Sequence, residues 1–221
     1  MTKPDPRYRL IVFDWDGTLM DSAGGIVACI QEAAREMGLS VPSRERASHV
    51  IGLGLHDSLQ YAVPGLPASG YRQFAELYRK HFQMRSEAMS LFDGVPELLA
   101  QLRGAGHVLA VATGKSRKGL DRALDESNLR NFFAASRCAD ETDPKPHPAM
   151  LLELMEELSH QPHELLMIGD TSHDLDMAAN AGVDAVAVTY GAHPEEALRA
   201  RAPRGVVKSV PELREWLTAN A

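Results

Sequence analysis

The sequence predicts an α/β protein: a parallel β-sheet with helices on both faces, into which a helical unit is inserted soon after the first strand. Three observations lead there. Short apolar runs at residues 10–13, 108–112, 165–168 and 185–188 are separated by helical patterns, and strands that are apolar throughout belong to parallel sheets buried on both sides. Between the first two runs lies a long stretch of helical periodicity with no strand pattern inside it. Polar and charged residues with chemical potential gather directly after the runs, where α/β sheets place their ligands.

The first run, Leu10-Ile11-Val12-Phe13, leads into Asp14-Trp15-Asp16-Gly17-Thr18-Leu19. Residues i and i+2 of an extended chain point to the same side. Asp14 and Asp16 therefore leave the strand together, Trp15 points away toward the core, and Gly17 lets the chain turn. Adjacent like charges do nothing for a hydrophobic strand. They suit a site that holds a divalent cation and divides nucleophilic and proton-transfer duties between two acids.

The insert follows. Asp21 or Ser22 is placed to cap a helix with Ile26, Cys29, Ile30, Ala33, Ala34 and Met37 on one face, stopped at Gly38. A second helical stretch begins after Ser43, breaks at Gly52-Leu53-Gly54, and resumes to Val63 before Pro64-Gly65-Leu66-Pro67. A third runs from Ser69, with Tyr71, Phe74, Tyr78 and Phe82 as its packing stripe. The chain thus divides into an α/β core of residues 1–20 and 90–221 and a helical cap of residues 21–89.

Beyond Asp93 helices and strands alternate. A helix over 96–103 ends at Gly104-Ala105-Gly106, and further helical patterns cover 151–158 and 175–181. Val206-Val207 reads as a short edge strand and 212–217 as a final helix. The run at 108–112 ends in Thr113-Gly114-Lys115, a hydroxyl beside a glycine whose N–H a ligand can approach. The run at 165–168 ends in Gly169-Asp170-Thr171-Ser172-His173-Asp174, two more carboxylates one helical turn apart. Between these lies Lys145, with its backbone restricted by Pro144 and Pro146. Several carboxylates, a hydroxyl and a lysine suit a phosphoryl group bound with Mg²⁺.

Composition narrows the classes. At 221 residues, with 44% hydrophobic and 24% charged residues, the chain has the make-up of a globular protein large enough for one core plus a small domain. A net charge of -7 argues against a general nucleic-acid binder but not against a phosphorylated substrate. No apolar run is long enough to span a bilayer, and Met1-Thr2-Lys3-Pro4-Asp5 is unlike a secretion signal. Cys29 and Cys138 are too few for a disulfide framework and fit a reducing compartment, so the cytoplasm is the expected location.

Taken together, Asp14-Trp15-Asp16-Gly17-Thr18, Thr113, Lys145 and Gly169-Asp170 through Asp174 resemble, in order and spacing, the motifs of the haloacid dehalogenase superfamily. The resemblance covers essentially the whole chain. Pro144-Lys145-Pro146-His147-Pro148, and Gly169-Asp170-Thr171 through Asp174 to Ala181-Gly182, make it most similar to the phosphoglycolate phosphatase-like hydrolases with a small helical cap. The resemblance implies a Rossmann-like core and specific roles. Asp14 is the implied nucleophile and Asp16 the implied acid and base. Asp14, the Asp16 carbonyl and Asp170 would hold Mg²⁺, with Asp174 beside or among them. Thr113 and Gly114 N–H would bind phosphoryl oxygens, while Lys145 would pair with Asp14 and the phosphoryl group.

Ordinary alternatives exist for each: a solvated strand end for Asp14 and Asp16, a surface lysine for Lys145, a helix cap for Thr113, a first-turn acid for Asp174. The motif order favours function. Lys115 and His173 sit beside the motifs and either touch substrate or stay in solvent, while His160 and His163 read as surface residues. In the cap, His56 is the substrate-binding candidate.

The expected function is Mg²⁺-dependent hydrolysis of a small phosphomonoester, phosphoglycolate being one candidate. The expected partner is a small phosphorylated metabolite, with no nucleic acid or membrane, in a monomer or homodimer. The rivals are a sugar phosphomutase, disfavoured by Ile51 and Leu55 where a basic cap residue would stand, and a haloacid dehalogenase, which lacks an acid at the position of Asp16. A receiver-type signalling module lacks a helical insert. A bare binding protein would bind phosphate analogues without turnover.

Overall fold

The computed structural model describes residues 7–86 and 89–221; the polar start Met1-Thr2-Lys3-Pro4-Asp5 lies outside them. The strands are β1 (Leu10–Phe13), β2 (Met20–Asp21), β3 (Ser90–Leu91), β4 (Val108–Thr113), β5 (Ala135–Cys138), β6 (Leu165–Gly169), β7 (Asp184–Val188) and β8 (Gly205–Val207). Among the described residues, one six-stranded sheet runs in the order β5-β4-β1-β6-β7-β8, with every pairing parallel. The first strand of the sequence sits near the middle, so its carboxyl end is flanked by the ends of β4 and β6. The topology thereby brings Asp14, Thr113 and Asp170 to one edge.

The period-two alternation of the strands sorts their side chains between two cores. Ile11, Phe13, Leu109, Val111, Leu166, Ile168, Val186 and Val188 face one way, while Leu10, Val12, Ala110, Ala112, Leu165, Met167, Ala185 and Ala187 face the other. Trp15 belongs to the first core, fully buried and edge-on to Phe133, as expected.

The insert is helical: α1 (Ala23–Glu36), α2 (Arg44–His49), α3 (Leu55–Ala62) and α4 (Tyr71–Arg85). It has its own apolar cluster, with Ile26, Ile30, Ala33, Ala34, Leu59 and Phe74 buried. Its two crossings to the core are paired, since β2 and β3 form a short antiparallel ribbon. One sequence expectation is corrected here. Ser22 occupies the N-cap position of α1, yet neither it nor Asp21 caps that helix with its side chain. Asp21 lies in the ribbon, and the Ser22 hydroxyl instead donates to Asp16 Oδ1 at 2.7 Å.

The remaining helices are α5 (Val95–Ala105), α6 (Arg117–Glu126), α7 (Ala149–Leu158), α8 (Ser172–Ala181), α9 (Glu195–Arg199) and α10 (Val210–Asn220). Helices α5, α6 and α10 cover the first face, and α7, α8 and α9 cover the second. Two elements had no clear sequence signal. Strand β5 is an edge strand of Ala-Ser-Arg-Cys whose Arg137 reaches Glu153 and Glu157, so it carries no apolar run. Helix α6 buries only Leu120 and Leu124 along its length. No helix among the described residues is long and apolar enough to cross a membrane.

Candidate active site

The site is built at the carboxyl ends of β1, β4 and β6. Asp14 directly follows β1, and its backbone N–H donates to the Ile168 carbonyl of β6 at 2.9 Å. Gly17 turns the chain back with φ 83°, a value that disfavours any side chain. A Cβ there would also run into the Asp170 carboxylate. Gly17 is therefore required twice, for its backbone angle and for the space it leaves.

Asp14, Asp170 and Asp174 are buried together, and each offers a carboxylate oxygen within 4.8 Å of the others. Two of these acids are braced by neighbours. Asp170 accepts from the Thr18 hydroxyl at 2.8 Å and from Ala192 N–H at 2.7 Å. Asp174 Oδ2 accepts from the N–H and hydroxyl of Thr171, at 3.0 and 2.7 Å, closing a capping box at the start of α8. Its other oxygen lies 2.6 Å from Lys145 Nζ. Asp174 thus caps its helix with one oxygen and faces the site with the other.

Lys145 is fully buried and also lies 2.8 Å from Asp14 Oδ1. Beyond these ion pairs, Asp14 Oδ1 and Oδ2, Asp174 Oδ1 and Lys145 Nζ have no further hydrogen-bond partner. Burial drives the Asp14 carboxyl above its ordinary value, against the pull of Lys145 and with the Asp174 charge adding to it. Asp170 is pushed well above its ordinary range by burial first, then by Asp14 and Asp174. Burial opposes the charge on Lys145, but Asp14 and Asp174 more than offset it and hold its pKa above the ordinary value. When ionised, the three buried carboxylates outnumber the one ammonium among them, and the resulting repulsion adds to burial in raising Asp14 and Asp170. Oxygen donors with unmet partners and excess anionic charge fit a small divalent cation such as Mg²⁺.

Thr113 ends β4 and is buried, its hydroxyl accepting from Lys115 N–H at 3.3 Å. Gly114 follows, against the cap: a Cβ there would lie 2.6 Å from the Gly52 carbonyl oxygen. The Gly52–Gly54 loop between α2 and α3 is seated directly over the core motifs, with Gly52 beside Thr171 and Gly54 beside Pro144. Asp16 stands on the cap side, and both its oxygens are held by Lys115 Nζ, at 2.9 and 2.8 Å. Lys115 is therefore inside the site rather than in solvent.

His56 is placed differently from the other expected site residues. It is exposed on α3, 3.4 Å from Asp57 and edge-on to Tyr71. His163 is exposed and His160 partly buried beside Glu164, and both free cysteines are buried.

Sequence reasoning missed a second cluster. His173 of α8 and His193 both place Nε2 on the His49 carbonyl at the end of α2, at 2.7 and 3.1 Å. Ser172 N–H donates to His193 Nδ1, which leaves Nε2 as the protonated nitrogen that donates to His49. Burial lowers all three imidazoles, His193 to about 4 with the His173 charge adding to it. The rings fasten the cap to the core, together with Ser48, whose hydroxyl donates to the Ala192 carbonyl at 2.7 Å. Although the three rings are close enough to share a metal, that Ser172 bond commits His193 Nε2 to carrying a proton. His49 and His193 lie outside any motif, so only the fold reveals them.

Fold and site together define a class of protein: a parallel α/β sheet with a buried aspartate cluster at its strand ends, beneath a helical insert. Residues 11–188 match the model of the haloacid dehalogenase-like hydrolases. The chain belongs to that family, as the motif resemblance implied, and within it is an enzyme of the phosphatase type. It is 35% identical over 211 residues to "Probable phosphatase IndB" of Dickeya dadantii, covering 92% of this chain and 91% of that one. It is 30% identical to phosphoglycolate phosphatase of Vibrio vulnificus, covering 97% of this chain and 98% of the relative. Not all relatives carry a phosphatase name. Tyrosine-protein kinase PtkA of Mycobacterium tuberculosis is 37% identical over 86% of this chain, the match spanning 65% of PtkA. Among solved structures, a "predicted phosphatase" from Clostridium acetobutylicum superposes with a TM-score of 0.85 at 26% identity, over 96% of this chain and 99% of that one.

Proposed function

We propose that this protein is a Mg²⁺-dependent phosphatase that hydrolyses a small phosphomonoester through an aspartyl-phosphate on Asp14. One observation carries the reading: Asp14 is buried with Oδ1 facing the Lys145 ammonium at 2.8 Å and Oδ2 without a hydrogen-bond donor, beside two further acids. An oxygen not engaged by donors is an available nucleophile. The phosphoglycolate-like substrate class draws support from the Vibrio relative.

Asp14, Asp170 and Asp174 are the side chains that would hold Mg²⁺, with the Asp16 carbonyl beside them. The bound ion supplies charge neutralisation for the phosphoryl oxygens. Thr113 and Gly114 N–H donate to those oxygens, and Lys145 adds a fixed positive charge. In the first step an Asp14 oxygen bonds to phosphorus as the ester P–O bond breaks, and Asp16 delivers a proton to the departing alkoxide. In the second, Asp16 takes a proton from water, whose oxygen attacks phosphorus and frees Asp14 and inorganic phosphate. The cap loop over Gly114 keeps bulk water away from the reacting group.

The test is phosphate release across small phosphorylated metabolites with and without Mg²⁺. Wild-type protein is expected to release phosphate only with the metal, and Asp14→Asn is expected to lower steady-state release by at least about 10³-fold, an ordinary loss for a removed nucleophile. Undiminished release by that variant refutes the assignment.

A further inference from the structure

We propose that Lys115 sets substrate specificity by receiving a carboxylate carried on the leaving alcohol, one or two carbons from the ester oxygen. This inference rests on the phosphatase reading above and narrows its substrate class. It starts from a conflict in the geometry. Lys115 Nζ holds both oxygens of Asp16, at 2.9 and 2.8 Å, yet Asp16 must turn an oxygen toward the leaving group to transfer a proton. The Ser22 hydroxyl fixes Oδ1, which leaves Oδ2 as the oxygen to be given up. A productive complex therefore weakens the Lys115–Asp16 pair on the side from which the leaving alcohol is approached.

Lys115 is poorly placed to find water instead. Its side chain is 11% exposed, and the Phe82 ring of α4 covers it with the ammonium 4.9 Å from the ring centroid. Its backbone is fixed on both sides, by its N–H to Thr113 Oγ1 and by its carbonyl, which accepts from Ala139 N–H at 3.1 Å. An ammonium that loses half its partner in such a place needs another anion, because an under-paired buried charge is costly. The other lysine of the site, Lys145, is already held between Asp14 and Asp174. Lys115 is thus the cation available to a second anionic group of the substrate. Its closeness to Asp16 and the Phe82 lid keep that group short-tethered.

The experiment compares two esters that differ only at this group: 2-phosphoglycolate, and 2-hydroxyethyl phosphate, in which a neutral CH₂OH replaces the carboxylate. In parallel, calorimetry measures binding of their unhydrolysable counterparts, 3-phosphonopropionate and 3-hydroxypropylphosphonate, in the presence of Mg²⁺. Wild-type protein is expected to favour the carboxylate member of each pair by roughly 10- to 100-fold, the range of a hydrogen bond to a charged group. Lys115→Met is expected to bring both ratios close to one, chiefly through KM, and Lys115→Arg to restore part of the preference.

Wild-type protein with no carboxylate preference, or a preference that survives in Lys115→Met, overturns the proposal. An equal loss on both esters in Lys115→Met also overturns it, since it assigns the lysine to positioning Asp16 alone. If neither ester turns over but the phosphonates are still discriminated and Lys115→Met erases the difference, the phosphatase reading fails while the Lys115 assignment stands.

Discussion

At the scale of single residues, some of the groups proposed to carry the chemistry are held by neighbours to which no chemistry is assigned. Thr18 is the clearest case. Its hydroxyl donates to Asp170 Oδ1 at 2.8 Å, while Ala192 N–H holds the other oxygen. Groups that orient a metal ligand commonly contribute 10- to 100-fold in metal affinity. Thr18→Ala is therefore expected to raise the Mg²⁺ concentration for half-maximal activity by about 10- to 100-fold, measured by metal titration at saturating substrate; an unchanged requirement removes Thr18 from that role. Asp14, Asp16, Thr113, Lys145, Asp170 and Asp174 were legible in the sequence because they lie at or within a few residues of the end of an apolar run, or between prolines, where a polar or charged residue has no packing reason to be. The ion pair of Lys115 with Asp16 was not legible, because it joins residues 99 positions apart and depends on the register of β4 beside β1. The same holds for the Ser22 hydroxyl, whose helix-start position suggested a cap and whose fold gave it Asp16 instead.

At the scale of elements, the strands that showed in the sequence are those with an unbroken apolar run: β1, β4, β6 and β7 inside the sheet, and edge strand β8 through Val206-Val207. Edge strand β5 and helix α6 did not show, because an edge strand and a weakly buried helix need few apolar residues. The cap showed as helical periodicity, but its seating on the core did not. That seating depends on bare backbone, with Gly114 pressed on the Gly52 carbonyl and two imidazoles donating to the His49 carbonyl. Gly114→Ala keeps the backbone N–H proposed to bind the phosphoryl group but puts a methyl group 2.6 Å from the Gly52 oxygen, closer than real contacts allow. The cap loop must then lift. The variant is expected to show KM raised about tenfold, the effect of roughly 1.4 kcal/mol, with faster proteolytic cleavage in the cap. Unaltered KM and protease resistance would show that the loop does not need this contact.

At the scale of the whole molecule, the anionic cluster links stability, protons and metal. Asp14 and Asp170 have raised pKa values in the folded protein, chiefly from burial. The metal-free native state therefore binds their protons more tightly than the unfolded chain does. The stability they contribute is present in acid and is lost as pH rises through the raised values. The buried imidazoles run the other way. His193, lowered to about 4, contributes stability above the ordinary histidine value that is lost as pH falls toward 4. Both effects act in the same window, so the informative quantity is the difference made by the metal. Mg²⁺ competes with protons for the carboxylates, and its increment in Tm is expected to grow as pH rises from about 5 to about 8, within the span set by these groups. A constant or shrinking increment contradicts the assignment of the cluster as the metal site. The central claim, that phosphorus is carried on Asp14, has the most direct test in a trapped intermediate. With p-nitrophenyl phosphate the leaving group departs without help from an acid, so Asp16→Asn slows hydrolysis of the intermediate more than its formation. Rapid acid quench of that variant is predicted to give a burst of p-nitrophenol equal to the enzyme, with one phosphoryl group located by mass spectrometry on Asp14. A burst with phosphorus on another residue, or turnover with no protein-bound phosphorus at any time, would contradict it.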